Sequence, residues 1–149
     1  MKVIKPLPEH LTDWIHLVEE FLKEGIDEYN FGYKKEDAET TFFLWIARQP
    51  AFLLEHGGEI IGVLAGSVGT HFFNYAGTYF QEAMWYVLPK YRHTSGGLKL
   101  LRAMEQECKR RGITKMVMAH TYSLMPRHFQ KLYKGLGYKR IETKYIKDI

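Results

Sequence analysis

The chain has 149 residues, 46% of them hydrophobic and 26% charged, with a single cysteine; this is the ordinary globular range, and one domain over residues 1–149 is the expected organisation. No apolar run approaches the roughly 18 residues of a membrane span, no secretory leader is legible in residues 1–8, and a lone cysteine excludes an internal disulfide, which fits a reducing cytoplasm. The net charge of +4 conceals a division: residues 1–88 carry 6 basic and 13 acidic side chains, residues 89–149 carry 15 and 4.

A basic half suits a polyanion and an acidic half suits a cation, although solvated faces explain the same runs. The basic residues are spread over several elements and no nucleic-acid-binding motif accompanies them, so nucleic acid is not the expected partner. The oligomeric state is open, a homodimer included.

In chain order, residues 2–5 read as a short strand ended by Pro6-Leu-Pro8. Leu11, Trp14, Ile15, Val18, Phe21 and Leu22 follow at helical spacing, with Gly25 as a stop. The loop from Ile26 to Tyr33 mixes two carboxylates with three aromatics, either lining a pocket or packing over the helices. A second helix is predicted over about 36–48, with Ala38, Thr41, Phe42, Trp45 and Ile46 on its apolar side and Pro50 beyond it.

The period then changes to that of strands. Residues 51–55 and 60–68 are joined by His56-Gly-Gly-Glu59, which has hairpin-turn chemistry, and a less regular connection over 69–78, read as a second hairpin linker, leads to a strand over 79–87. Pro89 ends that strand, and Gly96-Gly97 open a helix bearing Leu98, Leu101, Met104 and Cys108 on one stripe. Such a start aims unpaired backbone N–H groups and the helix dipole at an anion, and Cys108 reads as a small buried hydrophobe.

A short strand over 115–119 completes a β-α-β crossover, a helix over 125–136 follows, and residues 138–141 and 143–146 read as final strands. The seven histidines, His10, His16, His56, His71, His93, His120 and His128, show no metal-ligand spacing, so no metal is expected.

This order resembles the GCN5-related N-acetyltransferase (GNAT) superfamily. Arg92-His-Thr-Ser-Gly-Gly97 is similar to its Arg/Gln-x-x-Gly-x-Gly/Ala loop, with Ser95 where the middle glycine stands and His93 where many members carry a glycine. Tyr133-Lys-Gly-Leu-Gly-Tyr138 is similar to the ending of the family's fourth helix, and Pro126 replaces an asparagine common seven residues before that tyrosine. The resemblance implies an α/β (α+β) fold with a mixed, mostly antiparallel sheet of six to seven strands, four helices, and a splay between strands 4 and 5.

It also implies acetyl-CoA as cofactor, with pyrophosphate on the backbone of Thr94, Ser95, Gly96, Gly97 and Leu98, helped by Arg92 and His93, and the pantetheine arm beside Trp85, Tyr86 and Val87. The Val87 N–H would stabilise an oxyanion, and Tyr133 would protonate the departing thiolate. Glu82 is the candidate base, read as sharing one strand face with Met84 and Tyr86; a structural ion pair is the alternative. His120 is either a second acid-base group or a plain polar residue. The expected activity is transfer of acetyl to a primary amine, favoured as cationic by the acidic half, by direct attack in a ternary complex. The alternative is a non-catalytic CoA-binding or protein-interaction module.

Overall fold

The computed structural model describes residues 1–24, 29–121 and 126–149; the expected helix stop at Gly25, loop residues 26–28 and the expected helix start at Met125 lie outside them. The elements are β1 (Lys2–Ile4), α1 (Leu11–Lys23), α2 (Lys35–Arg48), β2 (Ala51–His56), β3 (Glu59–His71), β4 (Asn74–Val87), α3 (Gly96–Arg110), β5 (Lys115–Val117) and α4 (Pro126–Gly135), with single 3-10 turns at Pro8–His10 and Pro89–Tyr91. One sheet runs β1-β2-β3-β4-β5, antiparallel until the last pair, where β5 lies parallel to β4 after the α3 crossover.

The sheet is covered on both faces, which is why β2 and the first half of β3 read as unbroken apolar runs rather than alternating ones. On one face, Trp14, Ile15 and Leu17 of α1 and Phe42 of α2 pack against Leu53, Val63, Ala65, Met84 and Tyr86. On the other, Leu100, Leu101, Met104 and Cys108 of α3 pack against Leu54, Ile61, Leu64, Phe80 and Val87. Burial pushes the Cys108 thiol up to about 11, so it sits as an inert core side chain. Beside it Glu107, 6% exposed, is held by Arg110 and Arg111 at 2.7 and 2.8 Å, and these guanidiniums lower its carboxyl to about 2.

The β2–β3 turn is the expected one: Gly57 and Gly58 adopt φ of 61° and 83°, the pair of positive angles a two-residue type I′ hairpin demands. Two expectations need correction. Residues 69–78 form the expected hairpin but not as a less regular linker, because the β3–β4 ladder continues through Gly69↔Tyr79 and Thr70↔Thr78 to His71↔Asn74, leaving Phe72 and Phe73 exposed at its tip. Among the described residues the sheet has five strands rather than six or seven, since residues 138–149 form no regular element. Ile141, Tyr145 and Ile146 are exposed there, and a strand-like composition without a paired edge does not make a strand.

Candidate functional site

The site forms where β5 leaves β4. Their ladder holds three pairs, Tyr79↔Lys115, Phe80↔Met116 and Gln81↔Val117, and then ends while β4 continues to Val87. Along this remaining stretch the Leu88 N–H bonds the Ile61 carbonyl at 2.9 Å, on the β3 side. Because backbone groups alternate sides along a strand, Tyr86 likewise turns its N–H toward β3, whereas Trp85 and Val87 turn theirs to the gap. The Tyr86 ring also leaves the gap: it packs in the α1 face and its hydroxyl donates to Glu24 at 2.6 Å. Of the three expected pantetheine neighbours, Trp85 and Val87 face the opening and Tyr86 does not.

Glu82 owes its direction to a β-bulge. Ala65 pairs with Met84 but Gly66 pairs with Glu82, so Ala83 is an extra residue and the strand's alternation slips there. Glu82 therefore shares a face with Phe80, toward α3, and not with Met84 and Tyr86 as strict alternation predicts. Gly66 makes room for the bulge: a Cβ on it would lie 2.1 Å from the Gln81 carbonyl oxygen. A glycine inside an otherwise apolar strand is the one sequence signal for this feature.

Turned that way, the Glu82 carboxylate accepts the Ala119 backbone N–H at 3.1 Å and feels the weaker pull of the Trp85 backbone N–H dipole. Burial raises its carboxyl to about 7, against the smaller opposing pull of those two donors. The Tyr133 hydroxyl, from α4, donates to the carbonyl of the same Ala119 at 2.6 Å. Burial, and next the charge of Glu82, hold the Tyr133 phenol well above its usual range, so it keeps its proton. The Trp85 ring lies 5.7 Å from Phe129 and 6.2 Å from Tyr133, and His120 stacks on Phe129 at 6.0 Å. The structure thus brings Glu82, Tyr133, Trp85 and His120 together around Ala119, a residue with no chemical signal of its own.

At the other end of the gap, the start of α3 leaves N–H groups unspent. Thr94 Oγ1 donates to the Tyr91 carbonyl at 2.6 Å and accepts the Gly96 N–H at 3.2 Å, and the Lys99 N–H bonds Ser95 at 3.0 Å. No hydrogen bond among the described residues uses the N–H groups of His93, Ser95, Gly97 or Leu98, and Ser95 caps the helix with no side-chain bond. These are anion donors of the kind a pyrophosphate needs. Gly96 is packed so that a Cβ would fall 2.5 Å from Leu54 Cδ2, whereas Gly97 stands in ordinary contact with the Trp85 ring. The loop accommodates His93 and Ser95 because neither has a positive φ; Asn30 alone does among described non-glycine residues.

Arg92 is placed differently from expectation. Its Nε donates to the Val87 carbonyl at 2.8 Å, its two terminal nitrogens grip both oxygens of Glu24 at 2.9 and 2.5 Å, and its plane lies over the Tyr86 ring. That fork ties the end of β4 to the end of α1 and leaves the guanidinium committed. Lys99 reaches the Met1 carbonyl at 3.3 Å, and Lys90 sits over the Tyr91 ring. Glu24 is unmarked in the sequence beyond standing before a helix-stopping glycine.

A parallel pair that parts after three positions, a helix start with unspent N–H groups, and a carboxylate and a phenol on either side of Ala119 make up the candidate site. The profile described as "Acetyltransferase (GNAT) family" matches residues 14–138, and the chain belongs to that family; it is an acetyl-CoA-dependent N-acetyltransferase. Similar folds include a predicted acetyltransferase with acetyl-CoA from Clostridium acetobutylicum, at 16% identity and TM-score 0.77, over 99% of this chain and 95% of that one. An aminoglycoside N-acetyltransferase in complex with CoA gives 16% and 0.76, over 99% and 93%. Glucosamine-6-phosphate N-acetyltransferase from Arabidopsis thaliana gives 14% and 0.75, over 99% and 97%. No curated protein matches the chain in sequence. Among the described residues no helix is long and apolar enough to cross a membrane.

Proposed function

We propose that the protein transfers acetyl from acetyl-CoA to a cationic primary amine, in a reducing cytoplasm, with Glu82 as base and Tyr133 as acid. The observation that carries the reading is the pairing of these two groups on either side of Ala119, at the mouth of the β4–β5 gap. Acetyl-CoA supplies the activated thioester. The N–H groups of His93, Ser95, Gly97 and Leu98 would hold its pyrophosphate, and the gap-facing edge at Trp85 and Val87 would take the pantetheine arm.

An amine of ordinary pKa about 10.4 arrives protonated, and Glu82, poised near neutrality, accepts the proton that must leave before its nitrogen can attack. The Val87 N–H faces the carbonyl oxygen as negative charge builds on it. As the new N–C bond forms and the C–S bond breaks, Tyr133 swings its O–H from the Ala119 carbonyl to the leaving sulfur and donates its proton. For the acceptor side, Glu19, Glu36 and Glu39 act electrostatically on Tyr33, which bonds Glu19 at 3.5 Å, beside the stacked and exposed pair Tyr29 and Phe31. Carboxylates with aromatic faces favour an amine bearing further positive charge over a phosphorylated one.

A thiol-release assay across amines, polyamines, aminoglycosides and peptide amino termini tests the reading, with CoA binding followed by thermal shift. Polycationic amines should turn over best, and CoA at about 100 times its dissociation constant should stabilise the protein by about 2.7 kcal/mol. CoA stabilisation with no turnover of any amine would instead indicate a binding module, and no stabilisation would remove the cofactor assignment.

A further inference from the structure

Glu82 does something that a base need not do: it joins two strands at the point where they part. The last β4–β5 pair is Gln81↔Val117, and the next bonds across the divide are not backbone to backbone. The Glu82 carboxylate, rooted on β4, takes at 3.1 Å the N–H of Ala119, two residues past the last paired position of β5. The bulge at Ala83 makes this reach feasible by turning Glu82 out of its alternation. Tyr133 fastens the other side of Ala119 through its carbonyl at 2.6 Å.

From this geometry we infer that Glu82 is a positioning residue as well as the proposed base: its carboxylate is the wedge that sets the β4–β5 gap, so that cofactor binding depends on it. The inference rests on the proposed function for what fills the gap, but not for the wedge itself. A carboxylate rooted on one strand and bonded to an amide past the end of the other keeps the backbones apart by the width of a side-chain group while satisfying that donor. With Glu82 removed, Ala119 would present an unpaired N–H, and the backbones would be free either to close on one another or to part. Either change alters the spacing offered to a third, strand-like chain. A group acting only as base touches the acceptor's proton and need not hold the strand spacing on which CoA binding depends.

Glu82→Ala, Glu82→Gln and Glu82→Asp separate the two roles when assayed with CoA alone. CoA affinity by calorimetry should fall about tenfold or more in the Ala variant, the equivalent of losing one bond to a charged group. It should fall about as far in Asp, one methylene too short to reach the Ala119 amide, and less in Gln, whose carbonyl oxygen still accepts it. Amide exchange by NMR should accelerate at Ala119 in the same order, with Leu100 in α3 unchanged as the marker that the fold is intact. CoA affinity within twofold of wild type in all three variants, with turnover lost, would overturn the inference and leave Glu82 a base only. If the wild-type protein fails to bind CoA, the function proposal fails, and exchange at Ala119 still decides the wedge. Should the Ala variant not fold, the Gln and Asp pair carries the comparison.

Discussion

The Glu82 carboxyl, raised from 4.5 to about 7, makes a stability prediction that needs no substrate. A native pKa above the unfolded one means that the folded chain binds the proton more tightly, so protonation stabilises the fold. The stabilising contribution is complete below about 4.5, declines as pH rises through about 7, and is gone above it. A displacement of this size corresponds to about 3 kcal/mol between pH 4.5 and pH 8. Glu82→Gln cannot titrate, so the difference in urea unfolding free energy between wild type and variant should shift by that amount over the interval, in favour of wild type at the acid end. Subtraction cancels every other titrating group, Glu107 included. If Glu82 is also the base, kcat/KM should rise with pH and reach about a tenth of its plateau one unit below the carboxyl's pKa. A flat difference curve would refute the burial argument. A difference that favours wild type as pH rises would mean that the carboxylate is stabilised by a cation rather than penalised by burial.

Tyr133→Phe keeps the ring among Trp85, Phe129 and Tyr138 but removes the proton, so turnover should fall about 10²- to 10⁴-fold with CoA affinity retained, as steady-state kinetics and calorimetry would show. Gly96→Ala should cost about 1–3 kcal/mol in urea unfolding, because its Cβ meets fully buried Leu54 at 2.5 Å, whereas Gly97→Ala, with 3.7 Å to Trp85, should stay within about 0.5 kcal/mol. Glu24→Ala breaks the fork to Arg92 and should lower stability by about 1–2 kcal/mol, both side chains being roughly a quarter exposed. Arg92→Lys should not restore what the fork provides, since one ammonium cannot bond both Glu24 oxygens and the Val87 carbonyl together.

The local features of the fold were readable from residue order. The apolar spacing of α1, α2 and α3, the paired glycines at 57 and 58, and the strand-loop-helix passage through 87–98 each depend on neighbours a few positions apart. The β3–β4 hairpin was legible but the length of its arms was not, because glycines at 69 and 77 interrupt the alternation by which a strand is recognised while the ladder tolerates them. The final strands failed for the opposite reason: their composition suits a sheet, but no edge pairs with them.

In the candidate site the division follows the same physics. Residue order placed a glycine-opened helix start after a Pro-ended strand at Gly96 and picked out Glu82 on that strand, and the family resemblance added Tyr133. Only the tertiary structure decided where they point. A bulge depends on what lies across the ladder, here Gly66 opposite Glu82, and it reversed the face that strict alternation assigns. The Arg92 fork closes on Glu24 from 68 residues away, and Ala119 acquires its place between the Glu82 and Tyr133 side chains because β5 departs from β4 and α4 brings Tyr133 to it. Short-range spacing encodes which groups are available; long-range pairing sets their direction, partners and protonation.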